Sequence, residues 1–416
     1  MAVARSQVLR WLAGSAGGPD PYAGLALLSD KALWPLHRDG LDPIGRLAET
    51  RQREPVSRLP VPFGVRAWLV SGEPAVREVL SHLDGFSNDF GILARRLGLS
   101  VRAEPGGLGF ADPPEHTRLR RMLTPEFTMR RLARLGPRIE QIVAGRLDAL
   151  GPEADLWHEW ALPIPALTIC ELLGVPYADR ARFEQLSTAR FDLASGAHTS
   201  LDTVAESLDY LRGLIGDQRR SPGDGLLGAL IREHGDELGD QELAGLADGV
   251  LTGGLETSAS MLALGAVALM ADATLADRLR TGDDVDATVE ELLRYLTVVQ
   301  VAFPRVAVRD VRIAGTEMRT GDVVICSLSA ANRDAAAGAS PETLDPRRRP
   351  GRSHLTFGYG PHRCIGAELA RLELRTAFPA LVRRYPRLRL AVDPADLRFR
   401  RASIVFGLDS LPVLTR

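Results

Sequence analysis

Cysteine, lysine and long apolar runs are all scarce in this chain of 416 residues. Its three cysteines, Cys170, Cys326 and Cys364, are an odd number with no close pairing. That argues against a secreted disulfide framework, points to a reducing compartment, and leaves one thiol free for special chemistry. Lysine occurs only at Lys31, so the 51 basic residues are almost all arginine, a codon feature expected of a GC-rich bacterial genome. They are balanced by 53 acidic residues, and a formal net charge of -2 does not mark the whole protein as a nucleic-acid or anionic-membrane binder. The most apolar stretch, Met261 to Met270, falls well short of the roughly 20 residues needed to cross a bilayer. Gly14, Gly17, Gly18 and Pro19 interrupt the N-terminus, so no signal peptide or anchor is expected. These features predict a soluble, cytoplasmic protein.

What is present is apolar periodicity. Leu132, Leu135, Ile139, Ile142, Val143 and Leu147 recur at helical spacing, and most of the chain from Glu115 to Leu296 reads the same way. Strand-like stretches are short and lie towards the ends: Val65–Ser71, Val306–Ile313, Asp322–Ser327 and Ser403–Phe406. The pattern predicts a mainly α protein with small β-sheets, as one domain over residues 1–416, with residues 1–19 a flexible N-terminal extension.

The most informative segment runs from His354 to Arg371. Phe357, Gly358, Gly360, His362, Cys364, Gly366, Ala370 and Arg371 sit together at fixed spacing. A glycine-rich loop leads into a cysteine that opens an amphipathic helix. Free backbone N–H groups and the positive end of the helix dipole favour the thiolate there. A structural buried cysteine is the commoner fate of a lone thiol, and zinc would require partner cysteines that are not nearby. A second segment, Asp248 to Ser258, lies in a helical pattern from about Gln241 to Met270. It carries adjacent glycines, Gly253 and Gly254, each costing about 1 kcal/mol inside a helix. Glu256 and Thr257 follow, and a threonine hydroxyl can bond back one turn. The plainer reading is a close helix crossing with Glu256 salt-bridged.

The cysteine run resembles the haem-binding signature of the cytochrome P450 family, Phe-Gly-x-Gly-x-His-x-Cys-x-Gly, at every named position. The second segment resembles the family's oxygen-binding helix, (Ala/Gly)-Gly-x-(Asp/Glu)-Thr. Glu291 and Arg294 resemble its structural Glu-x-x-Arg pair, and residues 330–334 a structural turn. The resemblance covers the chain from about Asp20 onward and implies the cytochrome P450 fold, a large helical domain enclosing haem b. Residues 333–352 depart from the pattern in lacking its Phe-Pro spacer.

By resemblance, Cys364 is the iron ligand, Thr257 hydrogen-bonds bound dioxygen and Glu256 feeds protons. Phe357, Gly358, Gly253 and Gly254 border the haem. Its propionates fall to His116, Arg120, Arg305 and His362, while His354 buttresses the loop. The substrate pocket falls to the loop from Phe90 to Gly109 and to Gly249, Thr252, Val301, Phe303, Ile404 and Val405. Those small or apolar positions predict a lipophilic substrate, with Arg95, Arg96, Arg102 and Glu104 facing water. The implied activity is a monooxygenase that hydroxylates or epoxidises a natural product such as a polyketide with dioxygen. Ferredoxin and ferredoxin reductase supply the electrons, and the protein acts as a monomer without membrane or nucleic acid. Retention of Glu256 and Thr257 argues against the peroxide-dependent branch. Steroid, terpene or carrier-bound substrates, phenol coupling, and a catalytically silent haem binder are the alternatives.

Overall fold

A computed structural model describes residues 30–61, 64–89, 91–92, 108–183, 197–349, 352–400 and 402–416. The expected N-terminal extension and the loop positions Arg95, Arg96, Arg102 and Glu104 lie outside the described residues. The principal helices are α1 (Gly45–Arg53), α2 (Glu73–Ser81), α3 (Glu115–Leu123), α4 (Gly136–Ala149), α5 (Pro163–Leu173), α6 (Ala197–Arg220), α7 (Leu226–His234), α8 (Asp240–Ala271), α9 (Ala273–Thr281), α10 (Val285–Leu296) and α11 (Ala367–Arg384). The strands that matter are β1 (Val56–Leu59), β2 (Ala67–Val70), β3 (Phe86–Ser87), β4 (Glu153–Asp155), β5 (Arg305–Ala307), β6 (Val311–Ile313), β7 (Thr316–Met318), β8 (Val323–Cys326), β9 (Arg389–Leu390) and β10 (Pro412–Leu414). The architecture is mainly helical with small sheets, as the apolar periodicity predicts.

Helix boundaries follow local chemistry. Asp272 caps α9 by accepting from the amides of Thr274 and Leu275, and Gly282 ends it in the left-handed conformation at φ +87°. The apolar stripe of α4 (Ile139, Ile142, Val143, Leu147) is buried in the main core with Trp160, Ile164, Leu173 and Phe378. The central helix α8 is long and apolar enough to cross a membrane, but 78% of its most apolar window is buried inside the protein. It is a core helix, packed against α5, α6 and α11.

The strands order as β1-β2-β8-β5-β3 in one sheet, with β8 parallel to β2 (Val323 opposite Ala67, Cys326 opposite Val70). A second sheet orders β9-β10-β4. The expected strand Val306–Ile313 is two strands in different sheets. The chain leaves the first at Val308, whose amide bonds Gly85 carbonyl and whose side chain is exposed, and β6 then pairs with β7. Alternation of side chains continues through such a bend, so period alone does not reveal it. Ser403–Phe406 is likewise no strand: one bridge, Val299 to Val405, anchors it.

Glu291 and Arg294 of α10 form a buried, doubly hydrogen-bonded ion pair at 2.8 Å. Arg348, from the divergent segment, adds a third member to Glu291 at 3.0 Å. Arg294 also donates to the carbonyls of Asn332, Pro341 and Thr343. Asn332 in turn ties Thr297, Thr356 and the Leu355 amide together. This knot fixes the base of the loop that leads to Cys364.

Candidate active site

Loop geometry comes first. Gly358 and Gly360 both adopt φ +71°, a region that favours glycine. At Gly360 a Cβ would sit 2.6 Å from the Leu80 carbonyl oxygen of α2, so the close approach also requires glycine. The amide of Cys364 donates to Phe357 carbonyl at 2.8 Å, closing the loop, and the Arg371 guanidinium lies 4.7 Å over the Phe357 ring. Helix α11 begins at Ala367 with Gly366 as its N-cap. Cys364 therefore stands two residues before the cap, not at the helix opening.

The side chain of Cys364 is accessible although it sits deep enough that burial pushes its thiol above the ordinary value. The amide of Gly366 and the charges of Arg120, Arg363 and Arg371 oppose that upward push. A lowered thiol is the sequence expectation; in the protein alone, desolvation outweighs the donors.

Four basic groups converge beside this cysteine. The rings of His116 on α3 and His362 on the loop lie 4.0 Å apart, centroid to centroid. Burial pulls His362 down to about 3, with Arg305, His116 and Arg120 adding to the effect. Burial also lowers His116, Arg120 and Arg305, and Cys364 partly offsets it at Arg120. Nε2 of His116, Nε2 of His362 and Nε of Arg305 are buried without a hydrogen-bond partner. Buried donors are normally satisfied, and a cluster of two guanidinium cations and two imidazole donors with unmet valence is the complement of an anionic ligand. The residues present thus fit the two propionates of haem. His354 stands apart: its Nε2 bonds Glu290 at 3.1 Å, and its Nδ1 accepts from the Thr356 amide, so it buttresses the loop.

On α8, Gly249 and Gly253 are exposed on a helix that is otherwise largely buried, and a Cβ at either would meet nothing within 4 Å. They are four apart and share one face. Gly254 does not: its Cβ would lie 3.1 Å from Ile169 of α5, so its smallness serves the helix crossing rather than the open space. Thr257 donates its hydroxyl to Gly253 carbonyl at 2.8 Å, the back-bond its position predicts. Thr252 has a buried hydroxyl without a partner. The carboxylate of Glu256 accepts from Arg400 at 2.7 Å, so the plainer salt-bridge reading holds as well. Burial raises the Glu256 carboxyl and Arg400 pulls it back.

The pocket candidates divide. Phe303 is exposed, packs tilted against the Phe110 ring at 4.8 Å between centroids and lies against Gly109. Val301 and Val405 are buried yet join none of the three apolar clusters, and Ile404 lies half-buried between Gln300 contacts to its own carbonyl and that of Ser403. Sequence reasoning missed Arg400, Arg348 and Glu373. The last is a fully buried carboxyl bonded to Ser258 and Thr168, raised to about 7 by burial. No local pattern announces these three, since the partners that matter here, Glu291 for Arg348, Glu256 for Arg400 and Thr168 for Glu373, lie 57, 144 and 205 residues away.

Comparison with known proteins agrees with this geometry. Residues 285–398 match the family model "Cytochrome P450". The chain is 39% identical over 401 residues to cytochrome P450 165B3 of Amycolatopsis orientalis, covering 91% of this chain and 98% of the relative. It is 38% identical over 384 residues to mycinamicin IV hydroxylase/epoxidase of Micromonospora griseorubida, covering 90% and 96%. Among solved structures, OxyC, a cytochrome P450 implicated in an oxidative C-C coupling reaction during vancomycin biosynthesis, superposes with a TM-score of 0.80 at 37% identity, covering 91% and 96%. The chain belongs to the cytochrome P450 family, whose members carry haem b and use dioxygen, and it is a P450 monooxygenase.

Proposed function

We propose that the enzyme tailors a lipophilic natural product by hydroxylation or epoxidation, with Cys364 as the thiolate ligand of its haem iron. The observation that carries this reading is the convergence of Cys364 with His116, Arg120, Arg305 and His362, three of whose buried nitrogens lack partners. Haem, when bound, supplies the activation of dioxygen, which is the cofactor's chemistry rather than the protein's.

The chain supplies placement, protons and dryness. His116, Arg120, Arg305 and His362 would hold the propionates of haem and so orient it. Gly249 and Gly253 leave bare backbone where a flat ligand and a small molecule must fit. Thr257, anchored on Gly253 carbonyl, holds a hydroxyl at that opening, and Glu256 behind it is the nearest carboxyl on the same helix. Together they pass protons inward while the apolar surroundings exclude water. Val301, Phe303, Ile404 and Val405 offer apolar surface to the substrate. A ferredoxin docking on the cysteine side delivers electrons, and the enzyme works as a cytoplasmic monomer.

The test needs no partner. The carbon-monoxide difference spectrum of the dithionite-reduced protein must show a Soret band shifted far to the red, and Cys364→Ala must abolish that shift. A normal, unshifted band in the unsubstituted protein overturns the assignment. Turnover with NADPH and no added partner overturns the ferredoxin claim. Oxidative aromatic coupling is the second reading, favoured by the likeness to OxyC; spin-state titration with a phenolic peptide against a macrolide separates the two.

A further inference from the structure

Glu256 does not stand alone. Its partner Arg400 is itself buried, at 9% exposure, and is held on three sides. Its Nε donates to Asp409 at 3.2 Å, its guanidinium lies 4.8 Å from the centre of the Trp157 ring, and its amide donates to Gly407 carbonyl at 2.9 Å. Gly407 has no room for a side chain, since a Cβ there would lie 2.7 Å from Ser260 Oγ of α8. The backbone bearing Arg400 is therefore seated on the helix that bears Glu256. Phe399 pairs with Leu408, so Arg400 and Asp409 stand on opposing legs of one turn. Among the described residues on the neighbouring segments, His158 and Glu159 are exposed and bonded to Asp155, Glu373 bonds Ser258 and Thr168, and Arg38, over the Phe406 ring, donates to Gln300.

We propose that Arg400, braced by Asp409 and Trp157, is a positioning residue that fixes the charged form and orientation of Glu256, the acid that feeds protons towards Thr257. This rests on the reading of Glu256 given above. The physical reason is desolvation. A carboxylate buried among apolar groups takes up a proton and rotates freely unless a cation compensates it. The bond from Arg400 supplies that compensation, and the bond from Arg400 to Asp409 extends it to a half-exposed carboxylate at the surface, at 55% side-chain exposure. A buried arginine is otherwise costly, and among the described residues Glu256 and Asp409 are the carboxylates paired with it.

The experiment uses the full chain and two readouts. The first involves no turnover. The infrared carbonyl stretch of protonated Glu256, assigned by its absence in Glu256→Gln, is followed against pH. In Arg400→Gln its midpoint should rise by about one pH unit or more, a tenfold change in the protonation equilibrium. Arg400→Lys should restore most of it. Asp409→Asn, at a half-exposed position, removes a carboxylate that shares Arg400 with Glu256 and should shift it by less and downward. An unmoved midpoint in both Arg400→Gln and Asp409→Asn overturns the proposal. The second readout is product formed per reducing equivalent with a surrogate ferredoxin. Arg400→Gln and Glu256→Gln should each lower it severalfold, the double variant should be no worse than either, and Arg400→Lys should recover. If Glu256→Gln uncouples the reaction and Arg400→Gln does not, the role of Arg400 is refuted while that of Glu256 stands. If neither changes coupling, the proton-feeding role of Glu256 falls, and the proposal with it.

Discussion

Replacing Arg294 by methionine tests the structural argument most severely. The side chain is 4% exposed and makes five hydrogen bonds: two to Glu291 and one each to the carbonyls of Asn332, Pro341 and Thr343. Methionine fills similar volume but donates none of them. Breaking a buried ion pair from one side costs about 3–5 kcal/mol, because the remaining charge is stranded. Here Arg348 still touches Glu291 and Thr343 carbonyl, which tempers that term. The carbonyls of Asn332 and Pro341 lose their arginine donor, at about 1–3 kcal/mol each where no water replaces it. A net loss of about 5 kcal/mol is expected, comparable with the whole stability of many proteins, roughly 5–15 kcal/mol. Urea denaturation followed by tryptophan fluorescence, which reports on buried Trp157 and Trp160, measures it at constant pH. Arg294→Lys should fall between, since one ammonium replaces a fork with a point charge. A midpoint for Arg294→Met within error of the unsubstituted protein would refute the reasoning, because five buried bonds would then be energetically silent.

Three further outcomes are expected. Arg305→Leu removes one charge-assisted contact and should weaken haem retention by about tenfold to a hundredfold, measured as haem loss to a scavenging globin, with the carbon-monoxide band unmoved. Thr257→Ala removes the hydroxyl that bonds Gly253 carbonyl; haem content should be unchanged while reducing equivalents divert to peroxide, and unaltered coupling removes Thr257 from the mechanism. Burial works to raise the Glu290 carboxyl, but the hydrogen bonds from His354 and Arg371 prevail and hold it at about 2. Its folded value lies below its unfolded value of about 4.3, so its stabilisation is present above that pH and is lost as pH falls towards the folded value. Glu290→Gln should therefore flatten the acid side of the stability profile, read as urea midpoints from about pH 5 downward; an unchanged acid slope contradicts this.

The short motifs of this protein were legible in the sequence, and their resemblance to a known family is what gave them roles. The glycine-framed cysteine, the acid–threonine pair in a glycine-bearing helix and the Glu-x-x-Arg spacing each lie within one turn or loop, and short-range sterics and hydrogen bonding fix their form. The central helix Asp240–Ala271 came through almost to the residue because its period is sustained over many turns. What the sequence did not decide was partnership across space. Gly253 and Gly254 are indistinguishable as letters, yet one opens onto space and the other packs on Ile169, a difference set by the rotation of α8 against α5. Val306–Ile313 alternates like one strand and is two, because the bend depends on a contact with Gly85. His354 and His362 lie eight residues apart in one loop, and only folding sends the first to Glu290 and the second to His116. Arg400 meets Glu256 across 144 residues of chain. Burial, which sets the sign of the shift at Cys364 and Glu256, is a property of the packed whole and exists in no segment of it.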